Sequence, residues 1–281
     1  MRERPTDVIL IISVCLVWAG NYFVVKGVLV YVDPFTFALL RALLGGAFIF
    51  AIGGYAIKGI TRRDLTWLLG LGLFNIALFL ILLNISLLTV TEGVDSTLIY
   101  TQPVLVAAIS PLFGENLTRN RKIGIAAAFA GVVVIFLPNI ISSALVAGDV
   151  YALAAAGSWA VAILIFKRWK PTINVNSVTS IQSMIGGLFI LPTLALEKPF
   201  IDPTLDFWLF LAYNAILASG VAYVIYWRIL SRMSAAQFTS YFFLVPVFAT
   251  VMASIFALSV PPVNELFGTA LVALGILAVN R

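Results

Sequence analysis

Residues 92–113 read EGVDSTLIYTQPVLVAAISPLF, an apolar run with the polar, helix-disrupting tetrad Tyr100-Thr101-Gln102-Pro103 near its middle. At roughly 1.5 Å per residue, a run of this length crosses about 30 Å of hydrocarbon, which puts Pro103 close to the midplane. Proline gives up one backbone donor and obstructs the carbonyl four residues back. Lipid cannot solvate the freed groups, so such a break belongs beside other helices or a wet cavity. Pro246 repeats the arrangement in the run from Ala235 to Leu258. Two interrupted spans at matching depth point to the binding site of a transporter.

The rest of the chain agrees with that setting. Hydrophobic residues make up 62% and charged residues 10%, against roughly 45–50% and 25% in soluble domains, which makes this an integral membrane protein. Ten apolar runs follow one another with short connections: Asp7 to Gly27, Pro34 to Ala56, Leu65 to Leu88, Glu92 to Phe113, Arg121 to Pro138, Asp149 to Phe166, Asn176 to Leu196, Leu205 to Trp227, Ala235 to Leu258 and Val263 to Asn280. The first is long and lacks a small-residue cleavage pattern, so it reads as a span and not a cleaved signal peptide. There is no histidine, and the one cysteine, Cys15, sits inside an apolar run. The chain therefore has no usual proton shuttle, no metal cluster and no internal disulfide, and no cofactor is expected.

The net charge of +5 is explained by orientation, without nucleic acid as a partner. Fourteen basic residues fall on one set of span ends, among them Arg2, Arg4, Lys58, Arg119, Arg228 and Arg281, against Lys26 and Lys198 on the other. That segregation places both termini in the cytoplasm of a prokaryotic cell, with the spans in its plasma membrane.

The sequence also repeats. Trp18-Ala19 precedes Lys26 as Trp159-Ala160 precedes Lys167, a shift of 141 (159 minus 18), and the same shift carries Gly45-Gly46 to Gly186-Gly187. Pro103 maps to Pro246, and Gly124 and Gly131 map to Gly268 and Gly275. Each half holds five spans, an odd number, so residues 1–140 and 147–281 are expected to be two inverted five-helix repeats of one all-α membrane fold with ten transmembrane helices.

The combination of Trp18-Ala19-Gly20-Asn21, Arg41, Pro103, Gly114-Glu115-Asn116-Leu117-Thr118 and the glycines of the fifth run resembles the EamA branch of the drug/metabolite transporter superfamily. The resemblance implies a ten-helix carrier with a central cavity between its halves, often an exporter of amino acids or related metabolites. It also implies that the fourth and ninth spans flank the pathway and that the fifth and tenth are peripheral. Leu258 stands where the second half would carry the acidic residue of the Gly-Glu motif, so the repeat gives Glu115 no role in transport.

Polar side chains inside the runs are the candidate site. An arginine at mid-helix costs about 2.5–3.5 kcal/mol on insertion scales. Arg41 must therefore pair with Glu92 or Asp95, snorkel, or hold a substrate carboxylate. Trp18, Asn21 and Tyr22 share a helix face away from the interfacial belt, and Trp159 poses the same question in the sixth run. Both suit a cavity wall, with interhelical packing as the plainer alternative. Tyr100 shares its face with Ser96 and Pro103, whereas Gln102 points elsewhere. Asn75, Phe79, Ser219 and Tyr223 could complete an aromatic and amide-lined pocket for an amphipathic solute, or could simply pack. Pro103 and Pro246 are candidate gating positions. The paired glycines suit close helix packing, sliding or a homodimer.

These residues define a carrier of small organic metabolites, amino acids foremost, working by alternating access in contact with membrane lipid. The alternatives are proton-coupled efflux of lipophilic drugs or cations, and a lipid flippase. An enzyme is not expected: it would need a nucleophile with a base, or a paired acid, and only Glu92 and Asp95 at a helix end approach that.

Overall fold

The computed structural model describes residues 5–54, 59–114, 117–142, 146–196, 198–256 and 262–279. Arg2, Arg4, Lys58, Glu115, Asn116, Leu258 and Arg281, on which part of the charge count and of the family motif rests, lie outside the described residues.

The described residues are helical throughout, apart from short connections and a single bridge between Val32 and Ile201. In chain order they form α1 (Pro5–Val28), α2 (Pro34–Ile49), α3 (Arg62–Thr89), α4 (Glu92–Ile99), α5 (Gln102–Ile109), α6 (Arg119–Ser142), α7 (Ala147–Trp169), α8 (Val175–Ile190), α9 (Leu205–Leu230), α10 (Ala235–Ser240), α11 (Leu244–Phe256) and α12 (Val263–Val279). Eight segments are long and apolar enough to cross a bilayer. The run from Glu92 falls short because it is broken into α4 and α5, and the last run because its apolar helix covers only Leu266–Val279.

The break lies ahead of the proline that announces it. α4 ends at Ile99, Tyr100 takes φ −80° and ψ 16°, and α5 starts at Gln102 with Pro103 in its first turn. There the missing N–H is one that a helix leaves unpaired in any case, so the proline costs little. Pro246 likewise sits in the first turn of α11, behind a tight 3₁₀ turn at Tyr241–Phe243. The fourth run thus breaks at residues 100–101 and the ninth tightens at 241–243, not at the prolines themselves.

Elsewhere, α3 widens into a π-helical stretch at Gly72–Leu78 and α9 into one at Tyr213–Val221. Glycines of α2 and α8 meet these stretches: a Cβ on Gly45 would stand 2.7 Å from the Ala215 carbonyl, and one on Gly186 2.9 Å from that of Gly72. α6 and α12 pair in the same manner. A Cβ on Gly124 would lie 2.7 Å from Gly275 O, and one on Gly131 2.6 Å from Gly268 O. Glycine at these four positions lets two backbones touch, and these faces are occupied within the chain.

Helix ends are tied off by side chains. Asp33 caps α2 by accepting from the backbone N–H of Thr36, and also accepts from Phe200 N at 2.8 Å, which joins the α1–α2 turn to the segment before α9. Asn174 caps α8 through Asn176 N. The Lys26 ammonium donates to the carbonyls of Leu87 and Val90 at the end of α3, and Lys167 to those of Leu230 and Met233 at the end of α9. Each lysine covers carbonyls that a helix C-terminus cannot satisfy, where positive charge is favoured. Trp169 Nε1 donates to Asp64 in the first turn of α3 at 2.9 Å.

Candidate functional site

α1, α2, α3, α4, α7 and α9 converge on one chamber. Its wall is made by Trp18, Asn21 and Tyr22 of α1, Arg41 of α2, Phe79 and Leu83 of α3, Tyr100 at the end of α4, Trp159 of α7 and Tyr223 of α9. The three- and four-residue spacings on α1 and α3 turn these side chains to one side. The rings close on a cavity of about 20 Å³, room for about one water molecule.

One floor of the chamber is aromatic. Trp18 and Trp159 meet edge to face with centroids 5.3 Å apart, and Phe242 lies 5.2 Å from Trp18 and 5.9 Å from Trp159. Tyr226 lies tilted against both indoles, 5.5 Å from Trp18 and 6.0 Å from Trp159, backed by Phe238 at 4.8 Å. Such contacts add about 0.5–1.5 kcal/mol each beyond area burial.

The opposite wall is polar. Arg41 is 2% exposed, donates from Nε to Ser219 Oγ at 2.6 Å, and leaves Nη1 without a partner. The ion pair with Glu92 or Asp95 that the sequence allowed is not formed. Trp18 Nε1 donates to the Ala218 carbonyl at 3.0 Å, whereas the indole N–H of Trp159 and Oδ1 of Asn21 are buried without partners. Unpaired polar atoms at a cavity wall are the groups a bound solute would satisfy.

Not every expected residue lines this space. Ser219 sits behind Arg41 and orients it. Asn75 is fully buried with Nδ2 3.5 Å from Gln182 Oε1, in the π-helical stretch of α3. Pro103 and Pro246 stand off the wall, next to the kinks. Leu83 was not singled out in the sequence, although its place four residues after Phe79 was the available signal. Gln102 points away from the chamber and is fully buried, with both amide atoms unpaired.

A buried chamber with a charged wall, set among helices that cross a bilayer, is the arrangement of a membrane transport protein. The chain belongs to the EamA-like transporter family, whose sequence profile matches residues 6–137 and again 146–281. It is 28% identical to the uncharacterized transporter YvbV of Bacillus subtilis, over all of this chain and 94% of that protein. It is also 28% identical to a probable terminal-alkyne amino-acid exporter of Streptantibioticus cattleyicolor, over 82% of this chain and 78% of that one. A crystal structure at 20% identity superposes with a TM-score of 0.81 over 99% of both chains, a likeness of fold.

Proposed function

We propose that this transporter moves small organic metabolites bearing a carboxylate, amino acids foremost, across a prokaryotic plasma membrane by alternating access around the aromatic chamber. The observation that carries the reading is Arg41: a fully buried guanidinium, fixed through Nε, with Nη1 unpaired at the cavity wall. An intramembrane charge of this kind needs a counter-charge, and a substrate carboxylate supplies one in the bidentate geometry that arginine favours. The rings of Trp18, Phe79, Trp159 and Tyr223 would hold an apolar side chain. The amino-acid exporter among the relatives supports the same class. A fixed positive charge here disfavours the lipophilic cations of the alternative reading.

The architecture in this proposal is ten spans in two inverted five-helix units, 1–140 and 147–281, with both termini cytoplasmic. Its support is the recurrence of local devices between the halves: Lys26 and Lys167 on helix ends, Asp33 and Asn174 as caps, Gly72 and Ala215 each under a glycine of the other half, and a family profile that matches twice. Pro103 and Pro246 then keep the kinks at which the fourth and ninth spans bend as gates.

Uptake of labelled amino acids into proteoliposomes, with and without a proton gradient, tests the substrate class. Saturable flux that falls at least tenfold in Arg41→Gln and also falls in Tyr100→Ala, with both variants folded, is expected. Flux that is unchanged in Arg41→Gln, or equal for an amino acid and its methyl ester, overturns the reading.

A further inference from the structure

Asp95 lies outside the chamber wall and is unlike the other described carboxylates. It sits in the first turn of α4 with no exposed surface. Its Oδ1 lies 2.5 Å from the Ser86 hydroxyl, and its Oδ2 is buried without a partner. The Ser86 hydroxyl is at the same time 2.9 Å from the Leu83 carbonyl. A serine hydroxyl has one proton to give, and a carbonyl can only accept. The one hydroxyl proton is therefore shared between the Leu83 carbonyl and Asp95 Oδ1, and among the described residues it is the single hydrogen bond the carboxyl group receives from a side chain.

The surroundings agree. Lys26 of α1 is the nearby cation, but its ammonium is committed to the Leu87 and Val90 carbonyls and makes no ion pair with Asp95 within 4.0 Å. The other titratable groups facing this carboxyl are Glu92 on its own helix, Asp149 of α7 and Tyr22 of α1. Asp149 is engaged in capping α7 through Val146 N. Neither α3 at this level nor α11 contributes a charge among the described residues. An ionised carboxylate in this place would be desolvated, next to two further acids, with half its acceptors empty, at a cost of several kcal/mol.

We propose that Asp95 is a proton-binding site that couples closure of the Lys26 face to protonation. With the proton bound, α3 and α4 seal around a neutral carboxylic acid. When these helices part, water reaches Oδ2, the O–H bond ionises, the proton leaves to that water, and the carboxylate is stabilised by hydration and by Lys26. Resealing requires a proton from the same side. Opening of the chamber to the Lys26 face is thereby linked to the pH on that side, whatever the solute.

The test uses the full chain in lipid nanodiscs and needs no substrate. Infrared difference spectra are recorded across pH for the wild type and for Asp95→Asn. A carboxylic-acid C=O band is expected in the wild type, lost as pH rises and absent from the variant. In wild-type protein carrying carboxyl-¹³C aspartate the band shifts, which assigns it to aspartate without any substitution. Ser96→Cys in a Cys15→Ala background then reports opening by its rate of alkylation with an impermeant maleimide. The ratio of that rate with Asp95 to the rate with Asp95→Asn rises about tenfold per pH unit below the titration midpoint. Absence of an aspartic-acid band at every pH at which the protein is folded, a band that does not titrate, or a ratio independent of pH each overturns the proposal.

Discussion

Trp18 and Trp159, which occupy equivalent positions of the sequence repeat, touch each other edge to face at 78° with centroids 5.3 Å apart, yet only Trp18 ties its indole N–H to a backbone carbonyl. Sequence equivalence therefore does not give chemical equivalence. The shared ring contact serves packing, and the difference at nitrogen leaves one donor for a solute.

Replacement of each indole separates these roles. Trp18→Phe loses the bond to Ala218 O and is expected to lower stability by about 0.5–1.5 kcal/mol. Trp159→Phe removes part of a buried indole packed on Trp18, Phe79, Tyr100, Tyr226 and Phe242, and should lower the melting temperature as well while reducing amino-acid uptake more than Trp18→Phe does. Thermal unfolding and uptake measured on the same preparations check both.

Ser219 holds Arg41 at Nε, so Ser219→Ala leaves a second nitrogen of a buried guanidinium unpaired. Uptake is expected to fall roughly tenfold, corresponding to about 1.4 kcal/mol. Asn75→Ala, at the equivalent place in the repeat, removes only a 3.5 Å contact to Gln182 and should change uptake far less. The contrast between the two variants is the measurement.

The two lysines on helix ends are expected to act on stability and not on solute selection. Lys26→Met strips two carbonyls of charged donors at the end of α3, and Lys167→Met does the same at the end of α9. Each should cost about 1.5–3 kcal/mol, read from thermal unfolding, with the KM of residual transport unaltered.

Glycine substitutions give the sharpest packing test. Gly131→Ala would place its Cβ 2.6 Å from Gly268 O and 2.7 Å from Val272 N, both backbone atoms that cannot step aside. A loss of about 1–3 kcal/mol is expected. Gly157→Ala meets nothing within 4 Å on α7 and should be neutral or stabilising by up to about 1 kcal/mol.

The membrane class, the course of the helices and most of the chamber wall were legible because each depends on local pattern. Apolar run length sets a span, and the spacing of Trp18, Asn21 and Tyr22 sets a shared face. The clamp of Ser86 on Asp95 was not legible. Asp95 stands out as an intramembrane acid, but its contact with Ser86 depends on how α3 and α4 fold back on each other after Thr89. The kink positions were displaced for a similar reason: Pro103 marks where a helix can begin, while the chain turns at Tyr100, where no N–H is missing. Arg41 was recognised as costly, but its tie to Ser219 spans 178 residues and required the fold.

The seam between α6 and α12 brings peptide groups up to peptide groups at its four glycines, with Val279, Val272, Ile135 and Ala128 closing over them. Such a joint leaves no room for an added methyl, so neither helix can shift along the other without unseating these contacts. In the alternating access proposed above, this tightly seated pair is the part expected to hold still while the helices around the chamber rock.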